Sequence, residues 1–252
     1  QGVYISDGDV TISGGTYSGT GGEAACGVEI QDGALTIESG TFSGSGGNTA
    51  CGVKVGQSGK AAIRDGSFSG TDGYDASGLR VLFGGNAVIS GGVFTGSYYG
   101  VYNTGGTTIS GGTFSGEWYP LDTNASLAGM LATGCAYYRD DKPIEADNGL
   151  SPGTVTVREC GHTGVEVKDL GSGKHGLTCP YCGYHSEHTT TLTATASGNT
   201  VTFRGGCASC DYQEEALAAA AFTFPKLTYG QTGQTVNCTW EHPAGYSLMV
   251  QI

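Results

Sequence analysis

A ten-residue motif occurs five times in the first half of the chain and constrains its fold more than any other feature. The copies are VTISGGTYSG at 10–19, LTIESGTFSG at 35–44, AAIRDGSFSG at 61–70, AVISGGVFTG at 87–96 and TTISGGTFSG at 107–116. Ile always occupies the third position, and an aromatic residue always occupies the eighth. Because the copies start only 20–26 residues apart, one unit is too short to bury its apolar face. Stacked units bury a continuous core instead.

A second strand-like segment precedes each copy of the motif. These segments are GVYI at 2–5, GVEI at 27–30, GVKV at 52–55, GLRV at 78–81 and GVYN at 100–103. Apolar residues alternate with other residues in both segments, which is typical of β-strands. Equivalent positions of stacked strands lie about 4.8 Å apart, so the Ile and aromatic positions are expected to form ladders inside the core. The pattern therefore predicts an all-β fold with a parallel β-helix of about five coils at residues 1–120.

Composition supports an ordered repeat and excludes two classes of partner. The 252 residues include 47 glycines, which recur with the motif and are expected at corners where φ is positive. A net charge of −12 argues against binding to nucleic acid and to anionic membranes. No apolar run approaches the roughly 20 residues that a membrane span needs. Since the chain begins inside a repeat and ends on a strand-like run, we expect it to be a segment of a larger protein.

The motif copies and their companion segments resemble the TISGGTFSG-type repeats of right-handed parallel β-helices. Such repeats occur in large secreted or surface proteins of Gram-positive gut bacteria, and the resemblance covers roughly residues 1–116. It implies a right-handed coil and an extracellular, secreted or cell-wall-attached protein. It also implies host or bacterial glycans, or a host surface protein, as partners. The resemblance does not select an activity, because this fold carries polysaccharide lyases, adhesins and inert stalks.

Several outward positions of the coils are candidates for binding. One row is expected to be a solvated face with weak ion pairing, and it comprises Tyr4, Glu29, Lys54, Arg80 and Tyr102. Asp72 and Asp75 occupy a corner loop, where turn formation is favoured over calcium binding. Cys26 and Cys51 are equivalent in adjacent coils, and they form either a disulfide or two buried thiols. We favour thiols, because the spacing between rungs is near the short end of the disulfide range.

Five aromatic residues cluster in sequence where the repeats end. They are Tyr98, Tyr99, Tyr102, Trp118 and Tyr119. Aromatic rings stack on sugars, which makes this group a candidate carbohydrate platform. The alternative is that the rings seal the last coil against water.

Residues 121–157 are predicted to cap the open end of the β-helix, which would otherwise expose unpaired strand edges. DTNASLAGMLATG predicts a short helix, with Thr123 or Asn124 as N-cap and Gly134 just past its end. CAYYRDDKPIEADNG predicts a strand, a polar turn and a returning strand, and Cys135 is expected to be a buried thiol. SPGTVTV at 151–157 predicts a further short strand.

Residues 158–215 contain the strongest chemical signal, which is a repeated arrangement of cysteine and histidine. Cys160-x-His162 is followed by Cys179-x-x-Cys182, and a shift of 28 residues places Cys160 on His188 and the second pair on Cys207-x-x-Cys210. A Cys-x-x-Cys turn presents two thiolates to one tetrahedral ion. The first predicted zinc site therefore comprises Cys160, His162, Cys179 and Cys182.

The second predicted zinc site comprises His188, Cys207 and Cys210, with His185 as fourth ligand. Disulfides are the alternative, although nine cysteines cannot all pair. Two closed shells of four protein ligands indicate structural rather than catalytic zinc. The segments resemble small zinc-ribbon-like modules of the same class of surface protein.

Residues 216–252 are predicted to be a partial or small immunoglobulin-like β module, preceded by a helical turn or linker in EEALAAAA. The sequence as a whole favours a non-enzymatic structural or adhesive segment, since its acidic residues show no converging catalytic pattern. The alternative is a carbohydrate-binding or polysaccharide-degrading β-helix, which would use the outer face or the terminal aromatic residues.

Overall fold

The computed structural model describes residues 1–146, 150–197, 200–210, 212–213 and 218–221. The chain divides into two compact units. The first comprises Gln1–Gly164 and Pro180–Tyr184, and the second comprises Val165–Cys179 and His185–Ile252. The first unit is a parallel β-solenoid closed by an antiparallel cap, as the repeats predict. Its five motif copies lie on five successive rungs, so the chain makes about four turns between the first copy and the last.

One sheet of the solenoid contains the companion segments and the first half of each motif. Its strands are β1 (Val3–Ile5), β2 (Asp9–Ile12), β4 (Ala24–Ile37), β6 (Thr49–Ile63), β8 (Asp75–Val81), β9 (Asn86–Ile89), β11 (Tyr99–Asn103), β12 (Gly106–Ile109) and β14 (Tyr119–Thr123). Parallel pairing aligns the motif isoleucines in the order Ile12, Ile37, Ile63, Ile89 and Ile109. All five are at most 6% exposed, so this ladder is part of the core.

The other sheet contains the second half of each motif and then continues into the cap. Its strands are β3 (Thr16–Thr20), β5 (Thr41–Ser45), β7 (Ser67–Thr71), β10 (Val93–Gly96), β13 (Gly112–Gly116), β15 (Cys135–Arg139), β16 (Lys142–Ile144) and β17 (Gly153–Glu159). The motif aromatics Tyr17, Phe42, Phe68, Phe94 and Phe114 stack face to face. Neighbouring ring centroids are 4.6–5.2 Å apart, with interplanar angles of at most 11°. The predicted aromatic ladder is therefore confirmed.

Glycine has two distinct roles in the motif, of which the sequence predicts one. The sixth position turns a corner with positive φ in every copy, as at Gly40 and Gly66, where φ is +132°. The tenth position allows the two sheets to approach closely. A Cβ built on Gly70 would overlap the carbonyl oxygens of Ala50 and Ser77, which belong to the facing sheet. The invariant final glycine is therefore required by packing, whereas the sixth-position glycine is required by turn geometry.

The cap ends the parallel stacking. Strand β17 pairs antiparallel with β13 and with β15, and β15 and β16 form the predicted strand, turn and return. The predicted helix is wrong, because only a 3₁₀ turn, Ala128–Met130, forms there. Of its two expected N-caps, Thr123 is instead the last residue of a strand in the parallel sheet, and the residue that precedes the turn is Leu127 rather than Asn124. Leu131, beyond the turn, forms a parallel bridge with Ile109, so chain pairing takes precedence over helix formation.

The second unit contains two small antiparallel sheets. The first consists of β18 (Glu166–Gly171), β19 (Lys174–Thr178) and β20 (His185–Thr189), and the second of β21 (Thr191–Ser197), β22 (Thr200–Gly206) and β23 (Ala218–Ala221). Strand β23 pairs with β22, so these alanines form a strand rather than the expected helical turn or linker. The remainder of the predicted immunoglobulin-like module, at 222–252, lies outside the described residues. Within the described ranges, no helix is long and apolar enough to cross a membrane.

Candidate metal centres and outer face

Four residues predicted to bind the first zinc lie together in the structure. Cys160 directly follows strand β17, and its N–H donates to the carbonyl oxygen of Gly134 at 2.8 Å. His162 lies two residues later with a φ of +50°, a left-handed conformation that is rare for a residue with a side chain. Cys179 and Cys182 flank a turn between β19 and β20. Strand ends and turns thus supply all four side chains.

The geometry of this first cluster suits a tetrahedral ion. The ligand atoms of Cys160, His162, Cys179 and Cys182 all lie within 4.8 Å of one another. Sγ of Cys182 is 3.4 Å from Nδ1 of His162, and tetrahedral zinc would separate a sulfur and a nitrogen ligand by about 3.5 Å. Cys160 and Cys179 are buried, and the Tyr184 ring packs 4.5 Å from that of His162. These residues can hold a metal ion.

A second cluster forms in the second unit, with a histidine that differs from the prediction. The ligand atoms of His175, Cys207 and Cys210 lie within 4.8 Å of one another. His175 is fully buried, and its Nε2 is 3.3 Å from Sγ of Cys210. Its Nδ1 is 2.9 Å from the hydroxyl of buried Thr190, which fixes the orientation of the ring. The two predicted cysteines are therefore brought together with His175 in place of His188 and His185.

The two histidines predicted for this site have other neighbours in the structure. Nδ1 of His185 is 3.1 Å from the Thr178 hydroxyl, across the β19–β20 pair. His188 lies directly opposite His175 in the same pair, and its Nδ1 is 2.9 Å from the Ser209 hydroxyl. The sequence shift missed His175 because it compares positions along the chain. The signal that would have found it is the antiparallel register, which places His175 beside His188.

Local hydrogen bonds act on one thiol of the second cluster. The hydrogen bond with Cys210, and next that with Ser209, lowers the pKa of the Cys207 thiol. A lowered pKa favours the thiolate, which is the form that binds metal. No disulfide joins any two of the described cysteines, so the disulfide alternative gains no support from them.

The outward row of the solenoid has the predicted register but not the predicted exposure. Tyr4, Glu29, Lys54, Arg80 and Tyr102 lie side by side on successive strands. The expectation of a solvated face is wrong at Glu29, which is only 3% exposed. Nζ of Lys54 is 3.0 Å from one carboxylate oxygen of Glu29, and the Gln1 amide donates to the other. These two neighbours cover Glu29 and replace its water.

Beside this row, Cys26 and Cys51 are paired in register and fully buried, which confirms the preference for buried thiols. Their hydrogen bond lowers the pKa of Cys26, whereas burial raises that of Cys51. The corner acids have structural roles, as expected. Asp72 has a φ of +57° in its turn and accepts a hydrogen bond from Ser45, and Asp75 forms a 3.0 Å ion pair with Arg80.

The five terminal aromatic residues form one continuous surface cluster. The Tyr98 ring packs edge-on against Trp118 at 4.9 Å and lies 6.2 Å from Tyr99, which in turn lies 5.2 Å from Tyr102. Tyr119 is paired in register with Tyr99. Trp118 is 55% exposed and Tyr119 is 46% exposed. Part of the cluster is therefore exposed to solvent, which a simple seal of the last coil would not require.

Polar groups border this aromatic cluster on two sides. The Arg80 guanidinium lies 4.7 Å from the centre of the Tyr102 ring. Partial burial and the nearby carboxylate of Asp122 raise the pKa of Tyr99, so its hydroxyl stays protonated. A pocket of about 360 Å³ opens beside the cluster, with Tyr119 and Asp122 in its wall. Rings and hydrogen-bonding groups are thus adjacent on one surface.

Comparisons with protein-family models, with curated proteins and with solved structures find no match for this chain. The resemblance of the motif to bacterial surface repeats therefore stays a prediction.

Proposed function

We propose that this chain is a non-enzymatic, adhesive segment of a bacterial cell-surface or secreted protein, and that its solenoid presents an aromatic surface to glycans. The observation that carries the proposal is the exposed cluster of Tyr98, Tyr99, Tyr102, Trp118 and Tyr119 on the last coils. The extracellular location rests on the resemblance of the motif to bacterial surface repeats.

The chemistry of the cluster favours sugars over other ligands. Aromatic faces pack against the C–H faces of pyranose rings, while neighbouring polar groups bind the hydroxyls. Arg80 and Asp122 supply a donor and an acceptor at the border of the cluster. The net charge of −12 disfavours polyanionic partners in general. Neutral or weakly charged glycans therefore fit this surface best.

We further propose that zinc binds to the first metal centre and has a structural role. Three thiolates and one imidazole are ligands that zinc prefers, and four protein ligands close its shell. A closed shell leaves no position for a reacting water. The binding energy then contributes to folding of the surrounding turns, which bury little apolar surface of their own.

A glycan array tests the adhesive proposal, with the intact chain as probe. We expect binding that falls about tenfold in Trp118→Ala and in Tyr102→Ala, since the loss of one stacked ring costs on the order of 1–2 kcal/mol. Phe83→Ala is the matched control, because Phe83 is 79% exposed and belongs to none of the ring pairs described for the cluster. Equal losses in the control, or no glycan binding by the intact chain, would contradict the proposal.

The enzymatic alternative is tested on the same preparation. Release of reducing ends from pectin, glycosaminoglycans or mucin, abolished by replacing an outward carboxylate such as Asp122, would show that the solenoid is a polysaccharide-degrading enzyme instead. Elemental analysis tests the metal. We expect zinc in the purified chain and a loss of one equivalent in Cys179→Ser, and a chain without zinc would refute this part of the proposal.

A further inference from the structure

We infer a second closed metal site in the second unit, in which His175, His188, Cys207 and Cys210 bind one zinc ion. It deepens the proposed structural role of zinc and rests on zinc being the metal of this chain. It replaces the ligand set that the sequence alone predicts. Two thiolates and two imidazoles form a complete tetrahedral shell for zinc.

Three of these ligands already lie together, and the protein orients the histidine among them. His175 is fully buried, with Nε2 directed at Sγ of Cys210 at 3.3 Å and Nδ1 bonded to Thr190 at 2.9 Å. A hydrogen bond at the far nitrogen is the usual means of fixing the ring of a metal-binding histidine, and the Thr190 hydroxyl provides it here. The Tyr212 ring packs 4.2 Å from the His175 ring and covers the site from one side.

His188 is the side chain in position to complete the shell. It faces His175 across the β19–β20 pair, so the two rings lie on the same face of the sheet, with centroids 5.7 Å apart. Its Nδ1 is 2.9 Å from the Ser209 hydroxyl, and that hydroxyl is 3.3 Å from Sγ of Cys207. Ser209 therefore bridges His188 to a ligand of the cluster. An ion at the centre of the cluster would replace this hydroxyl as the partner of Nδ1.

The second nitrogen of His188 supports this assignment. Nε2 is 2.9 Å from the Ser186 hydroxyl, which repeats at His188 the arrangement that Thr190 makes at His175. His175 thus has one nitrogen in the cluster, His188 has one on a hydroxyl next to the cluster, and each has its other nitrogen on a hydroxyl of β20 or its end. His185 lacks this arrangement, because its Nδ1 is hydrogen-bonded to the Thr178 hydroxyl at 3.1 Å, on the opposite face of the β19–β20 pair.

The position of the site in the fold gives it a function in stability. Both histidines belong to the β19–β20 pair, whereas both cysteines belong to the turn that follows β22. A zinc ion on all four would join the two small sheets of this unit. Since such small sheets bury little apolar surface, metal binding would supply much of the free energy that holds them together.

The test is metal content and cobalt spectroscopy on the full chain. We expect two zinc equivalents in the intact chain and one each in His175→Ala and His188→Ala. His185→Ala and Ser209→Ala are the matched controls, and both should retain two, since neither side chain is a ligand. With cobalt, the charge-transfer absorption of the intact chain should correspond to five thiolates. In His175→Ala, only the absorption from the three thiolates of the first centre should remain.

The outcomes separate this proposal from the wider zinc proposal. One zinc equivalent in the intact chain would overturn the second site while leaving the first, and none would overturn both. Two equivalents in His188→Ala, with one in His175→Ala, would show that His188 is not a ligand and overturn the closed shell. Cys207→Ser in a Trp240→Phe background, measured with the Trp118 fluorescence of the solenoid, guards against general unfolding. It should lose one metal equivalent while the solenoid signal stays unchanged.

Discussion

Replacement of Phe68 by Leu is expected to destabilise the solenoid, because Phe68 occupies the middle of the aromatic ladder. Its ring is fully buried and stacks on both faces, at 5.0 Å from the Phe42 ring and 4.6 Å from the Phe94 ring. Leu retains most of the apolar volume, so the change removes stacking while leaving only a small cavity. The effect then reports on the ladder itself.

The structure sets the size of this effect and a matched control. An aromatic pair contributes about 0.5–1.5 kcal/mol beyond the burial of its area, so two lost pairs cost about 1–3 kcal/mol of unfolding free energy. Tyr17 stands at the end of the ladder and stacks on Phe42 alone, at 5.2 Å. The Tyr17 hydroxyl also donates to the carbonyl oxygen of Gly14 at 3.1 Å, so Tyr17→Phe serves as the reference for this position. Relative to that reference, Tyr17→Leu is expected to cost about half as much as Phe68→Leu.

Urea unfolding measures the difference in unfolding free energy between the two variants. Trp118 fluorescence, in a Trp240→Phe background, reports the unfolding from the last coil. With a slope of about 2 kcal/mol/M, a loss of 2 kcal/mol lowers the midpoint by about 1 M. Equal midpoint shifts in the two variants would refute the reasoning, because stacking on two faces would then count no more than stacking on one. A changed slope would indicate instead that a different part of the chain unfolds in the transition.

Three further predictions concern other positions. Gly70→Ala should destabilise the solenoid by at least about 1–3 kcal/mol in the same urea assay, because the new Cβ overlaps the facing backbone; Gly14→Ala, whose Cβ meets its nearest atom at 3.6 Å, should have little effect. Lys54→Met should cost about 2–3 kcal/mol by leaving buried Glu29 without its cation, and adding Glu29→Gln should restore part of the lost stability in a double-mutant cycle. In metal-free protein, Cys207 should react with iodoacetamide at a lower pH than an ordinary thiol, because its lowered pKa increases the thiolate fraction; peptide mapping across pH measures this, and zinc should block the reaction.

The repeat predicts the solenoid in detail because it determines which residues of adjacent coils are paired. Once Ile recurs at the third position and an aromatic residue at the eighth, stacking one coil on the next fixes every pair between Tyr17 and Phe114. The same logic aligns Cys26 with Cys51. The four residues of the first metal centre could likewise be predicted from the sequence, because Cys179-x-x-Cys182 supplies two of them from a single turn.

The wrong predictions concern positions whose surroundings depend on contacts between segments far apart in the sequence. Alternation places Glu29 on the outside, but it cannot report that Lys54 and Gln1 lie over it. His175 joins the second cluster through antiparallel pairing, which a comparison of positions 28 residues apart does not represent. The predicted helix failed for a related reason, because its segment is short and a strand partner was available at Ile109.

The aromatic surface follows from a local shortening of the repeat. Seven residues separate Gly70, the last glycine of the third motif copy, from Gly78, the glycine of the next companion segment. Only three residues separate the corresponding glycines Gly96 and Gly100. The earlier coils place a longer loop at this corner, whereas the fourth places only Ser97 and Tyr98 there, before strand β11 begins at Tyr99. Because the ladders hold the register on either side, the shortened corner changes the surface without changing the core. The constant positions thus specify the scaffold, and the variable corners and outward positions are where a ligand preference can be built.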